Sequence, residues 1–144
     1  SSGYVDRAAA SDPSVLVVFD GCEWYDTTIQ RKIFSPQWTG TTSAIAPVTA
    51  YVIDDVNTVF EIKSSGTVIT IADIGKTAKI ATATDPSASG ISTEKLDQTS
   101  LATNQLTYPL KVVGLGKGQE NDNTASYNTV EVVLNATVLK AGVA

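Results

Sequence analysis

The chain contains no histidine and no methionine, and it has a single cysteine among 144 residues. Without histidine, the commonest general base and the commonest transition-metal ligand are both missing. One cysteine cannot close an internal disulfide or complete a zinc site of the usual Cys/His type, and it leaves the redox compartment open. Charged residues make up 17% of the chain, light for a typical enzyme, while 42% is apolar, too much for a disordered chain. The net charge of −5 argues against a nucleic-acid backbone as partner, because that requires a basic face. No run approaches the roughly 18–20 apolar residues of a membrane span, and no basic amphipathic helix is present, so no membrane partner is expected.

What is abundant is Val, Ile, Thr and Ala in short runs separated by turn residues, the pattern of an all-β protein. The expected fold is an antiparallel β-barrel or sandwich, jelly-roll-like, with long loops and little or no helix. It is expected as a single domain over 1–144, since no repeat or linker divides the chain. The opening SSGY reads as a loop tip, so a leading segment of a longer polypeptide is expected before it.

Residues 15–19 (VLVVF) predict a strand buried on both faces, residues 25–28 a loop, and residues 29–34 a second strand. Residues 48–53 predict a third strand, stopped by Asp54 and Asp55. Residues 58–63 (TVFEIK) alternate, and with 67–71 (TVITI) across Ser64-Ser65-Gly66 they predict a hairpin. Further strands are expected at 77–84, 108–113 and 129–140. The last of these switches face near Val132-Val133, which suits a bulge or a strand shared between sheets. Residues 96–106 hold at most a helical turn. Residues 85–90 (DPSASG) read as a loop and 114–124 (GLGKGQENDNT) as a flexible connection.

The chemistry sought in the sequence is mostly missing. Gly114, Gly116 and Gly118 lack both the helix and the final residues of a phosphate-binding loop. Adjacent Asp54 and Asp55 point to opposite faces of an extended chain and suit a strand-end turn. ENDNT fails as a calcium loop, because Ala125 stands where a ligand is needed. The sequon at Asn135 falls inside a predicted strand. Cys22 lies beside Asp20 and Glu23, which raise a thiol pKa rather than lower it. No catalytic, cofactor-binding or metal-binding residue is expected, and the protein reads as non-enzymatic. Only a carboxylate-pair glycosidase mechanism stays formally open, with no pair selected.

The feature that stands out is FDGCEWYDTTIQRKIFSPQW, residues 19–38, which holds both tryptophans, the cysteine and half of the ten aromatic residues. These bulky groups either fill a small core beneath a long hairpin or face a neighbouring subunit. Trp24, Tyr25, Phe34 and Trp38 are the candidate contact residues.

This segment also carries a resemblance. VFDGCEW at 18–24 and FSPQW at 34–38, followed by AYVIDD at 50–55, VFEI at 59–62, ADIG at 72–75, GIS at 90–92, Leu96-Asp97 and LKVV at 110–113, resemble the capsid decoration (cement) proteins of tailed bacteriophages, in particular the short-tailed and marine phage type. The likeness runs from about Val15 to Asn135. It departs at Val56, where similar proteins tend to have proline after the paired aspartates. The resemblance implies a β-rich virion structural protein on the outer surface of the capsid, a homotrimer that bridges major capsid protein subunits, with no catalytic residues to carry over. The alternative from the residues is a head- or tail-fibre module that binds host surface glycan, with Trp24, Tyr25 and Trp38 stacked on sugar rings.

Overall fold

The computed structural model describes residues 17–38, 48–81, 93–103 and 105–135. Nine strands form three antiparallel sheets, and the only helical pieces among these residues are 3-10 turns at Ile71–Asp73 and Gln98–Ser100. The protein is all-β and sandwich-like, as the β-branched runs predict. The sheets do not close into a barrel among the described residues.

The first sheet is built from β1 (Val18–Asp26), β2 (Arg31–Ser35) and β3 (Thr49–Ile53), in the order β2-β1-β3. The larger sheet contains β4 (Phe60–Lys63), β5 (Thr77–Ala78), β8 (Leu110–Leu115) and β9 (Thr129–Leu134), in the order β4-β9-β8-β5. Strands β6 (Ile80–Ala81) and β7 (Lys95–Leu96) make a small pair of their own.

Cross-strand register explains the main core. Phe60 and Ile62 of β4 face Val132 and Val130 of β9. On the other side of β9, Leu110, Val112 and Leu115 of β8 face Leu134, Val132 and Val130. Ala78 of β5 extends the same face beside Leu110. Because side chains alternate along a strand, these apolar residues share one face. They pack with Ile69 and Leu96 into one cluster. The opposite face carries Glu61, Lys63, Lys111 and Glu131.

The bulge lies in β8, where the register shifts between Val112 and Gly114, and not in β9 as the sequence suggested. β9 keeps strict alternation through Leu134, with Val130, Val132 and Leu134 all buried. The extra residue in the partner strand absorbs the mismatch.

Four further expectations change. β1 runs on to Asp26, because the Asp26 carboxylate accepts hydrogen bonds from the Thr28 and Ile29 amides and starts the turn there. The loop is therefore 27–30, not 25–28, and Gln30 closes it at φ +51°. Residues 67–71 form no strand and no hairpin with β4, whose partner is β9. The reason is Asn128, which is buried: its amide oxygen accepts from the Ile69 N–H at 3.0 Å and its amide nitrogen donates to the Ile69 carbonyl at 2.9 Å. A side chain supplies what a neighbouring strand would otherwise supply. Thr70 and Asp73 then open a 3-10 turn, the Asp73 carboxylate accepting from both the amide and the hydroxyl of Thr70.

Residues 77–84 do not form one strand, since β5 and β6 are interrupted at Lys79, and residues 82–84 lie outside the described residues, as do 15–16, 85–90 and 136–140. Finally, 114–124 is not a loose connection. Gly114 and Leu115 belong to β8, and the Asn121 amide donates to the Gly116 and Thr129 carbonyls at 2.9 Å each and accepts from the Thr129 N–H at 2.7 Å.

Candidate functional site

The aromatic residues of 19–38 are distributed by the alternation of β1 and β2 onto the two faces of the three-stranded sheet. Cys22 and Trp24 point to one face with Ile33 and Ala50, their cross-strand neighbours. Glu23 and Tyr25 point to the other face with Phe34, Lys32 and Thr49.

The first face is covered. A bend at Pro36 and Gln37 follows β2, fixed by the Ser35 hydroxyl accepting from the Gln37 amide at 3.2 Å. It turns Trp38 onto Trp24, with the rings edge to face at a centroid distance of 5.2 Å. Cys22 is buried beneath the same bend and donates its Sγ–H to the Gln37 carbonyl at 3.6 Å. Burial pushes the thiol pKa up, which opposes a nucleophilic role. Trp24 is only 8% exposed, so it has no open ring face to offer a sugar, and its Nε1–H finds no acceptor among the described residues. Trp38, at the margin, is 43% exposed.

The second face is open, and it is where Phe34 and Tyr25 appear. Phe34 is 67% exposed and Tyr51 of β3 is 41% exposed, although both stand in regular strands. Their rings approach to 6.0 Å across the intervening strand β1. Gly21 makes this possible. Its φ of +152° is one that L side chains rarely adopt, and a β-carbon there would lie 3.2 Å from the Phe34 ring and 3.1 Å from the Ser35 carbonyl. The mid-strand glycine thus opens the space over which the Phe34 ring leans toward Tyr51.

Around this aromatic pair the face is polar. Lys32 donates to Glu23 at 3.1 Å, and the Tyr51 hydroxyl is hydrogen-bonded to the same carboxylate. The bond from Lys32 holds Glu23 below the usual carboxylate range. Burial, joined by the Glu23 charge, pushes the Tyr51 phenol above its ordinary value. Phe19, Ile29 and Val52 also stand exposed on this three-stranded unit.

Of the four candidate contacts, then, the structure places Tyr25 and Phe34 on the open face, Trp38 at the margin and Trp24 in the small core. Tyr51 was missed as a site residue. Gly21 lies beyond the strand expected at 15–19, and only the longer β1 makes it a mid-strand glycine of the kind that marks close approach.

The other sequence motifs are structural. Asp55 caps a turn through the Asn57 amide at 2.9 Å. Asp122 is held below the usual carboxylate range by bonds from the Thr124 hydroxyl and amide. Asn135 is buried, with its side-chain nitrogen donating to the Tyr108 carbonyl at 3.1 Å, so in the fold this side chain is closed to a glycan. Among the described residues, no group of three or more Cys, Asp or Glu side chains could hold a metal ion. No helix among them is long and apolar enough to cross a membrane. Comparison with models of protein families, with curated proteins and with solved structures returned no match.

Proposed function

We propose that this is a non-enzymatic virion structural protein that binds the outer surface of an assembled phage head, as a homotrimer, and stabilises the head by bridging major capsid subunits. The observation that carries the binding role is the open face of the three-stranded sheet, where Phe34 and Tyr51 form an exposed aromatic pair ringed by Glu23, Lys32 and Tyr25. An apolar centre with a polar, charge-paired rim is the anatomy of a protein interface. Aromatic anchors at such a centre carry a large share of binding energy. The capsid as partner comes from the resemblance of the segments at 18–24, 34–38 and 50–55 to decoration proteins.

The test is occupancy. Purified protein added to heads lacking it is expected to bind at a fixed stoichiometry and to raise their resistance to heat. Phe34→Asp, on an exposed position, is expected to leave the fold intact and abolish occupancy. Failure to occupy heads, with no change in their stability, overturns the reading.

A further inference from the structure

Tyr127 adopts φ +63°, the left-handed region where a β-carbon is crowded and glycine or asparagine is favoured. The backbone is pinned there: the Tyr127 N–H donates to the Gly66 carbonyl at 2.8 Å, and the Asn128 carbonyl accepts from the Ser64 N–H at 2.9 Å. A turn alone would be served at lower cost by glycine. The ring is 51% exposed and lies outside the apolar core, so packing does not account for it either. A strained backbone presenting a large exposed side chain points to a use for that side chain.

The ring borders an open hollow of about 460 Å³ whose lining includes Lys63, Lys95, Glu120, Asp122 and Ser126. The Lys95 ammonium lies 5.8 Å from the ring centroid. The charges of this lining decide the ligand class. Two lysines and two carboxylates line it, so a bound anion meets Glu120 and a bound cation meets the lysines. Asp122 is exposed and has its Oδ1 engaged by the turn, accepting from the Thr124 amide at 2.8 Å and the Thr124 hydroxyl at 2.6 Å. What remains is a set of donors (Lys63, Lys95) and acceptors (Glu120, the Ser126 hydroxyl) beside an aromatic plate. Sugar hydroxyls both donate and accept, and the C–H face of a pyranose is apolar, so a saccharide satisfies both parts at once.

We propose that the hollow beside Tyr127 is a subsite for a neutral saccharide, stacked on Tyr127 and held through its hydroxyls by Lys63, Lys95 and Glu120. The site is remote in sequence from the aromatic segment 19–38 and does not depend on the capsid reading.

The experiment is an amide-resolved NMR titration of the whole chain with maltose, lactose, mannobiose and chitobiose, with glucuronate and inorganic phosphate as charged probes. At least one neutral disaccharide is expected to shift the amides of Gly66, Ser126, Tyr127 and Asn128, with a Kd on the order of 1 mM. Tyr127→Gly suits the backbone and keeps the fold, which the same spectra verify, and it is expected to weaken binding by at least about tenfold, as is Glu120→Gln. Trp38→Ala is expected to leave it unchanged. Absence of shifts at tens of millimolar sugar overturns the proposal. So does undiminished binding by Tyr127→Gly, or tighter binding of glucuronate or phosphate than of every neutral sugar.

Discussion

Trp24 and Trp38 meet edge to face, with ring centroids 5.2 Å apart and planes at 80°, and one is buried while the other stands at the surface. The pair closes the small core of the three-stranded sheet. Trp24→Ala is expected to cost about 3–5 kcal/mol, the range for truncating a buried aromatic, and Trp38→Ala clearly less. Trp24→Phe removes a buried N–H that has no acceptor among the described residues, which offsets part of the lost volume. It is expected to be much milder than Trp24→Ala. Urea unfolding of the three variants checks the order, and Trp38→Ala proving the most damaging would contradict it.

Asn128 joins the large core to residues that would otherwise have been a strand. Asn128→Ala leaves the Ile69 N–H and carbonyl buried without partners, at an expected cost of roughly 2–4 kcal/mol. Hydrogen exchange at the Ile69 amide is expected to accelerate in the variant beyond what the global loss of stability explains.

The Cys22 thiol is both shielded and raised in pKa. A disulfide reagent such as Ellman's is therefore expected to modify the native protein only as fast as the sheet opens, and to react at once in denaturant. Rapid stoichiometric reaction of the native protein would refute the buried position.

Asp73 sits in a partly buried turn, where burial alone would raise its pKa. The Lys76 ammonium at 2.7 Å and the Thr70 amide and hydroxyl outweigh this and lower it from its ordinary value of 3.8. A carboxylate with a depressed folded-state pKa contributes stability above the unfolded value and loses it as pH falls through the folded one. Asp73→Asn is expected to reduce stability at neutral pH and to make little difference once the pH has fallen below the lowered folded-state value, where the native carboxylate is also protonated. Thermal melts of both proteins across this range give the comparison.

Glu61 and Glu131 are directly paired across β4 and β9, and Glu131 is in addition bonded to Lys117 at 3.1 Å. Like charges in register are unfavourable, so Glu61→Lys is expected to stabilise the fold by a few tenths to about 1 kcal/mol, more at low salt than at high.

Strand identity was readable at several β-branched runs that met a turn signal, though not at 67–71. β3 and β4 fall within the expected ranges, and β9 begins at the expected Thr129. The failures came where a polar side chain does the work of backbone. Asn128 replaces a strand partner for Ile69, and Asn121 ties a glycine-rich stretch that composition marks as loose. The first joins residues that local pattern cannot relate, Asn128 and Ile69 being 59 positions apart. The candidate contacts were legible as a cluster, but not by face. Separating Trp24 from Phe34 required the register of β1 against β2, and the role of Tyr51 required β3 to pair on the far side of β1.

The order of strands along the chain and the order within the large sheet run against each other. β9 occupies an interior position between β4 and β8, yet among the described residues it is the last strand to be synthesised. While the polypeptide emerges from the ribosome, β4 has no edge to pair with until about 65 residues later in the chain, whereas the three-stranded sheet is complete at Ile53. The sheet bearing the aromatic face is therefore able to form first. The larger sheet can be completed only once β9, which joins β4 to β8, is available.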